Sequence, residues 1–203
     1  MCSICGNLHI YKYDIKMKLI IEKIASMSIL YGVAVILMYS LLIAEYLSAV
    51  NTLCMKDMVE VSGVIEFLFK FNYLLSILSS IITWVILSLM FHLVALLFDG
   101  RQVFVRFLFT SSYLYIIPAV FLIVSIIMLG NMEVEDSNTV EALMGNDRFR
   151  LIMDTVNYSF IPFYVLMACF IHYMYNIKWI YGILSVAIPI LSIWGVTELF
   201  KLL

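Results

Sequence analysis

Five long apolar segments, separated by short polar ones, make up most of this sequence. The longest runs from Phe71 to Phe98 without a Lys, Arg, Asp or Glu. A helix needs about 20 mainly apolar residues to cross the hydrocarbon core of a bilayer. The segment therefore predicts a transmembrane helix. Since each residue adds about 1.5 Å, this helix is longer than the core and has to tilt or project beyond it.

The same criterion predicts four more spans and an all-α fold. The five predicted spans are residues 24–47, 71–98, 107–129, 156–177 and 179–200. Pro118, Pro162 and Pro189 fall inside the last three, where a proline usually kinks a helix and neighbouring helices compensate for the lost hydrogen bond. We expect a polytopic helix bundle with an N-terminal tail over residues 1–23 and a single transmembrane domain over residues 24–203.

Composition agrees with a membrane location. Hydrophobic residues make up 65% of the chain and charged residues only 13%, whereas soluble domains average about 25% charged residues. So few charges cannot cover a soluble surface. The net charge of −2 gives no indication of a nucleic-acid partner. The predicted partners are the lipid bilayer and either another membrane protein or a second copy of this chain.

The distribution of basic residues predicts the orientation. With five spans, one side of the membrane carries seven basic residues, namely Lys12, Lys16, Lys18, Lys23, Arg101, Arg106 and Lys178. The other side carries five, namely Lys56, Lys70, Arg148, Arg150 and Lys201. Because cytoplasmic loops are enriched in Lys and Arg, we predict a cytoplasmic N-terminus and an extracytoplasmic C-terminus.

Two polar segments between spans predict local structure. Residues 55–70 mix apolar and charged positions, which favours an interfacial helix leading into the second span. Before the fourth span, Asn138 and Glu141 have the spacing of a helix cap. Asp147 is the residue expected to cap the approach to the fourth span.

His92 and His172 are the candidate functional residues inside the spans. Ionisable residues within a membrane are functional candidates by default. Both are predicted one or two turns from the cytoplasmic end of their helices. The same side carries four polar candidates, namely Asp99, Arg101, Arg106 and Lys178. The alternative is that a histidine near the interface simply reaches water or lipid headgroups.

Two stripes of small residues have helical spacing. The second span carries Ser76, Ser79, Ser80 and Thr83, and the fifth carries Gly182, Ser185, Pro189 and Ser192. Small residues allow helices to approach closely in lipid, and hydroxyl groups can bond across the interface. Helix packing is the favoured interpretation of both stripes, and a substrate path is the alternative.

Metal-binding and catalytic patterns are weak. Cys2, Cys5 and His9 have the only metal-like spacing, but a structural zinc site needs four ligands and the second pair is missing. We regard these three as a weak metal candidate and predict no cofactor. The sequence contains no H-E-x-x-H, no G-x-S-x-G and no phosphate-binding loop. We therefore predict a protein that is not an enzyme and has no catalytic residues.

One stretch resembles a known family. From Trp84 the second span leads into the turn Asp99-Gly100-Arg101-Gln102-Val103-Phe104, and a helix with Ser, Tyr and Pro118 follows. This resembles the Yip (Ypt-interacting protein) family of five-span membrane proteins, in which a Gly-Gly-basic-x-x-Phe-like turn ends a long helix. Asp99 replaces the first glycine here. The resemblance implies a compact prokaryotic member in the bacterial inner membrane, with a role beside export systems.

Two functional hypotheses follow from the sequence. The first is an accessory or scaffold protein that binds a partner membrane assembly, such as an export or toxin-immunity system. Its candidate residues for partner or headgroup binding are His92, Asp99, Gly100, Arg101, Arg106, His172 and Lys178. Gly100 is expected to supply a left-handed or tight turn. Arg101 and Arg106 are expected to meet anionic groups, and the alternative interpretation is that they are charges that set topology. The second hypothesis is a small transporter or channel subunit that depends on His92 and His172.

Overall fold

The chain is all-α, as predicted. The computed structural model describes residues 16–24, 26, 29–54, 63–132, 143 and 145–202. Its numbered helices are α1 (Ile29–Cys54), α2 (Gly63–Leu97), α3 (Phe104–Ser111), α4 (Ile116–Gly130), α5 (Asp147–Tyr175) and α6 (Trp179–Leu202). A 3-10 turn, Ser112–Tyr115, joins α3 to α4, and residues 16–24 are also helical. These described residues contain no strand.

Among the residues that the structure describes, five helical segments are long and apolar enough to cross a membrane. They are Ile29–Cys54, Phe67–Leu97, Phe104–Gly130, Asp147–Tyr175 and Trp179–Lys201. Their most apolar windows have mean hydropathies between 1.3 and 2.4. The five predicted spans are therefore confirmed in number and order. The protein is a multi-pass integral membrane protein.

The second helix is longer than its apolar segment. Residues 63–70 of the predicted interfacial helix are helical and continuous with α2, while residues 55–62 lie outside the described part of the chain. The interfacial location stays a prediction. No proline or glycine follows Gly63 in this region to end a helix. The 35 residues of α2 extend about 52 Å at about 1.5 Å per residue, well beyond the roughly 30 Å core.

The third span is not one continuous α-helix. Pro118 is the third residue of α4, where its missing N–H would have had no partner in that helix anyway. Just before the 3-10 turn, Thr110 Oγ1 donates to the Arg106 carbonyl at 2.6 Å. Ser112 Oγ donates to the Phe109 carbonyl, also at 2.6 Å. The proline therefore lies at the start of a new helix rather than in the interior of a long one.

Asn146, rather than Asp147, caps α5. Its Oδ1 atom accepts the N–H groups of Arg148 at 2.9 Å and Phe149 at 3.3 Å. These are the second and third residues of the helix, which a side-chain cap normally satisfies. Asp147 is the first residue of the helix. The predicted cap at Asp147 is therefore wrong, and the predicted Asn138–Glu141 cap falls outside the described residues.

The small-residue stripe of α6 is largely buried, whereas that of α2 is not. Gly182, Ser185 and Pro189 are buried, but Ser192 is exposed. A Cβ atom on Gly182 would lie 2.8 Å from the carbonyl oxygen of Ala168, so α5 and α6 pack closely there. The packing prediction is confirmed for these three residues and wrong for Ser192.

On α2 the predicted packing face is the wrong one. Ser79 and Thr83 are exposed, and the hydroxyls of Ser76 and Ser80 donate to carbonyls of their own helix. The buried positions of α2 are instead Trp84, Ser88, Phe91, His92 and Ala95. These recur at intervals of three and four residues, as expected of one helix face.

The contacts group the chain into two compact units. The first consists of Met1–Val33, Leu87–Tyr113 and Val165–Leu203, and the second of Ala34–Ile86 and Leu114–Tyr164. In the second unit, Tyr115 packs edge-on against both Tyr39 and Phe163, with ring centroids 4.9 and 4.8 Å apart. All seven candidate residues for partner or headgroup binding belong to the first unit.

Candidate functional site

The helices α2 and α5 both end in the first unit, and they end in the same kind of turn. After α2, the Gly100 N–H donates to the Ala95 carbonyl at 3.1 Å. After α5, the Ile177 N–H donates to the His172 carbonyl at 3.3 Å. Bonds that reach back five residues are those of a Schellman cap, which needs one left-handed residue.

The left-handed residues are Asp99, with φ 61°, and Asn176, with φ 54°. Asp and Asn are the residues other than glycine that adopt this conformation most readily. Gly100 was predicted to supply a left-handed or a tight turn. The left-handed alternative is wrong, whereas the tight turn is observed. Gly100 instead allows close packing at the turn. A Cβ atom there would lie 2.6 Å from the Ala95 oxygen and 2.7 Å from Cδ1 of Tyr175.

Gln102 links the two turns. Its Nε2 atom donates to the Met174 carbonyl at 3.3 Å, and its Oε1 atom accepts the Val103 N–H at 2.9 Å. The rings of Phe98 and Tyr181 also stack, with centroids 4.8 Å apart and planes within 5°. The turn after α2 is thus attached to the end of α5 and to α6. Sequence reasoning missed Gln102 because its partner is 72 residues away.

His92 is buried and joins α2 to α5. Its Nδ1 atom lies 2.5 Å from the hydroxyl oxygen of Tyr175, and one of these two groups donates to the other. The imidazole also packs near Phe104 and Phe107, with ring centroids 5.3 and 6.3 Å away. Sequence reasoning did not find Tyr175, because nothing in the local pattern distinguishes it from other tyrosines at helix ends.

His172 has different partners. Its Nδ1 atom is hydrogen-bonded to the carbonyl of Ile177. Because a carbonyl can only accept, Nδ1 must carry the hydrogen. The ring stacks on Trp179, with centroids 4.5 Å apart. His172 therefore satisfies a carbonyl just beyond the end of α5 and packs against the start of α6.

The four charged candidates are exposed; three lie on these two turns, and Arg106 lies in the helix that follows the first turn. We call them the charged edge: Asp99, Arg101, Arg106 and Lys178. Asp99 and Arg101 belong to the turn after α2, Arg106 to the first turn of α3, and Lys178 to the turn before α6. Within the part of the chain that the structure describes, none of the four forms an ion pair. The edge therefore combines well-defined turns with charges that are open to a partner.

A metal site is absent from the described residues, in which no group of three His, Cys, Asp or Glu side chains could hold an ion. Cys2, Cys5 and His9 lie outside those residues, so the weak metal candidate stays a prediction. Cys54 and Cys169 are half-buried free thiols.

Comparison with known proteins adds no relative. No family model, curated protein or solved structure matches this chain. The resemblance to the Yip family stays a prediction.

Proposed function

We propose that this membrane protein acts by binding, as an accessory or scaffold subunit that docks a partner membrane assembly through the charged edge. One observation carries the proposal. The charged edge brings together exposed charges from two turns that are distant in sequence but joined by the Gln102–Met174 hydrogen bond. The binding partner would present acidic groups to Arg101 and Lys178.

The anchoring of the turns supports this function. Gln102, the Phe98–Tyr181 stack and the contact of Gly100 with Tyr175 all restrain the turn after α2. A surface that is already ordered loses less conformational entropy when it binds. Charges at the rim of such an interface mainly accelerate association and select against partners of the wrong charge.

The contacts of the histidines favour binding over movement of a solute. His92 is hydrogen-bonded to Tyr175 within a set of aromatic rings, and His172 is hydrogen-bonded to the Ile177 carbonyl. The first interaction attaches α2 to α5, and the second attaches α5 to the turn that follows it. The transporter hypothesis depended on these two residues, and their structural partners account for their presence without a solute.

The predicted orientation places the charged edge in the cytoplasm, next to the anionic leaflet. A partner there would be a membrane protein with an acidic cytoplasmic surface. An export assembly of the bacterial inner membrane is the class that the Yip resemblance implies, and a toxin-immunity assembly is another example of such a partner. The proposal needs only the charge complementarity and does not depend on that family.

Affinity purification of the tagged full chain from native membranes in mild detergent tests the proposal. We expect a partner at stoichiometric level. The double variant Arg101→Glu/Lys178→Glu should lose that partner, while Arg148→Glu/Arg150→Glu, with the same charge change on the other side of the predicted topology, should retain it. Recovery of free monomer alone would count against binding, as would equal partner recovery with both double variants.

A further inference from the structure

An open groove lies between the start of α1 and α3 in the first unit. Its volume is about 530 Å³, within the range of about 300–1,000 Å³ typical of ligand pockets. The residues that matter for its chemistry are Ile29, Val105, Arg106, Phe109, Thr110 and Tyr113. Gly32 allows α1 to approach α3 here, since a Cβ atom on it would lie 2.5 Å from the Phe109 carbonyl oxygen.

The groove combines apolar walls with the guanidinium of Arg106. Ile29 and Val105 are 56% and 52% exposed, so both offer apolar surface to a ligand. The polar side chains of the groove are already engaged, because Thr110 donates to the Arg106 carbonyl and Gln102 bonds to Met174 and Val103. The guanidinium of Arg106 has no ion pair among the described residues.

This combination matches an amphiphile with an anionic head. A charged group beside apolar surface in a membrane is costly unless it is paired. Arginine binds phosphate through two parallel hydrogen bonds, which gives strong and oriented recognition. Basic pockets between membrane helices bind anionic lipid headgroups in this way. The bilayer itself supplies phospholipids that present both a phosphate and an acyl chain.

We propose that this groove is a binding site for one anionic phospholipid of the surrounding bilayer. The phosphate lies on the guanidinium of Arg106, and an acyl chain follows the apolar wall formed by Ile29, Val105 and Phe109. The site goes beyond the partner-binding function and does not depend on it. The partner is tested at Arg101 and Lys178, whereas within the charged edge only Arg106 belongs to the groove.

Native mass spectrometry of the purified full chain, titrated with phosphatidylglycerol or phosphatidylcholine, tests the proposal. We expect one phosphatidylglycerol to be retained preferentially. Arg106→Gln should weaken that binding at least about ten-fold, since a charge-assisted hydrogen bond is worth about 1.5–3 kcal/mol. Arg148→Gln removes the same charge from an exposed position far along the chain, on α5, and should leave the affinity unchanged.

Two further measurements separate a lipid site from a simple phosphate site. Val105→Trp fills the exposed wall of the groove and keeps Arg106, so it should also weaken phosphatidylglycerol binding. Glycerol 3-phosphate, which has the head without the chains, should not compete for the site. The proposal is overturned if Arg106→Gln retains full affinity, if phosphatidylcholine binds equally well, if Val105→Trp has no effect, or if glycerol 3-phosphate displaces the lipid.

Discussion

The Nδ1 atom of His92 lies 2.5 Å from the hydroxyl oxygen of Tyr175, and both residues are buried. His92 is five residues from the end of α2, and Tyr175 is the last residue of α5. The hydrogen bond therefore ties together the two helix ends from which the turns of the charged edge begin. Removal of either partner leaves the other with an unsatisfied polar atom in an apolar setting.

Tyr175→Phe removes this bond and keeps the aromatic ring against Gly100. Hydrogen bonds between membrane helices contribute on average about 0.6 kcal/mol and at most about 1.7 kcal/mol. We expect the free energy of unfolding to fall by about 1 kcal/mol, measured by denaturant titration in detergent micelles. Tyr158→Phe, at a tyrosine that is 64% exposed, is the matched control and should change stability little.

A double-mutant cycle with His92→Phe isolates the bond itself. In Tyr175→Phe/His92→Phe neither polar group remains, so the double variant should be more stable than the sum of the two single losses implies. Strict additivity of the two effects would mean that the side chains do not interact.

Gly100→Ala should be strongly destabilising. The added Cβ would meet both the Ala95 carbonyl and the Tyr175 ring, and backbone atoms of a capped helix end cannot move aside easily. Overpacking of this kind costs about 1–3 kcal/mol. Thermal unfolding in detergent measures the effect.

Gly195→Ala provides the comparison for Gly100. Gly195 is inside α6, and apart from the backbone of its own helix no atom of the described residues lies within 4 Å of a Cβ there. Because alanine is favoured over glycine in helices by about 1 kcal/mol, this variant should be neutral or more stable. Equal losses in both variants would contradict the close approach seen at Gly100.

Asn146→Ala should fray the start of α5. The change leaves the Arg148 and Phe149 N–H groups without their acceptor and should cost about 1 kcal/mol. Hydrogen exchange of these two amides should become faster. Asp147→Ala should have a smaller effect, because Asp147 contributes only a favourable charge near the helix N-terminus. A larger effect of Asp147→Ala than of Asn146→Ala would mean that Asp147 is the cap.

The predicted orientation can be tested with single cysteines in a cysteine-free chain. Arg101→Cys and Lys178→Cys, both exposed, should react with a membrane-impermeant maleimide only from the cytoplasmic side. Asn131→Cys and Arg150→Cys are also exposed and should react only from the opposite side. Labelling of all four cysteines from one side would refute the five-span arrangement. If each pair is labelled only from the side opposite to the one expected, the true orientation is the reverse of the predicted one.

The membrane class, the all-α fold and the number of spans could be predicted from the sequence alone. Each span depends only on local length and apolar content, which can be counted without knowledge of any contact. The location of the turn after the second span and of the turn near Lys178 on the same side of the membrane was also predictable, since successive spans alternate in direction. The candidate residues on both turns were therefore recognisable in advance.

The buried helix faces and the side-chain partners could not be predicted, because they depend on how the helices pack. Lipid tails are as apolar as a helix interface, so hydrophobicity does not distinguish the inward face of α2 from its outward face. Small residues led the prediction to the Ser79 and Thr83 side, whereas the buried face contains Trp84 and His92. The His92–Tyr175 and Gln102–Met174 bonds join residues 83 and 72 positions apart. No local pattern specifies such pairs, because they form only when two helix ends pack together.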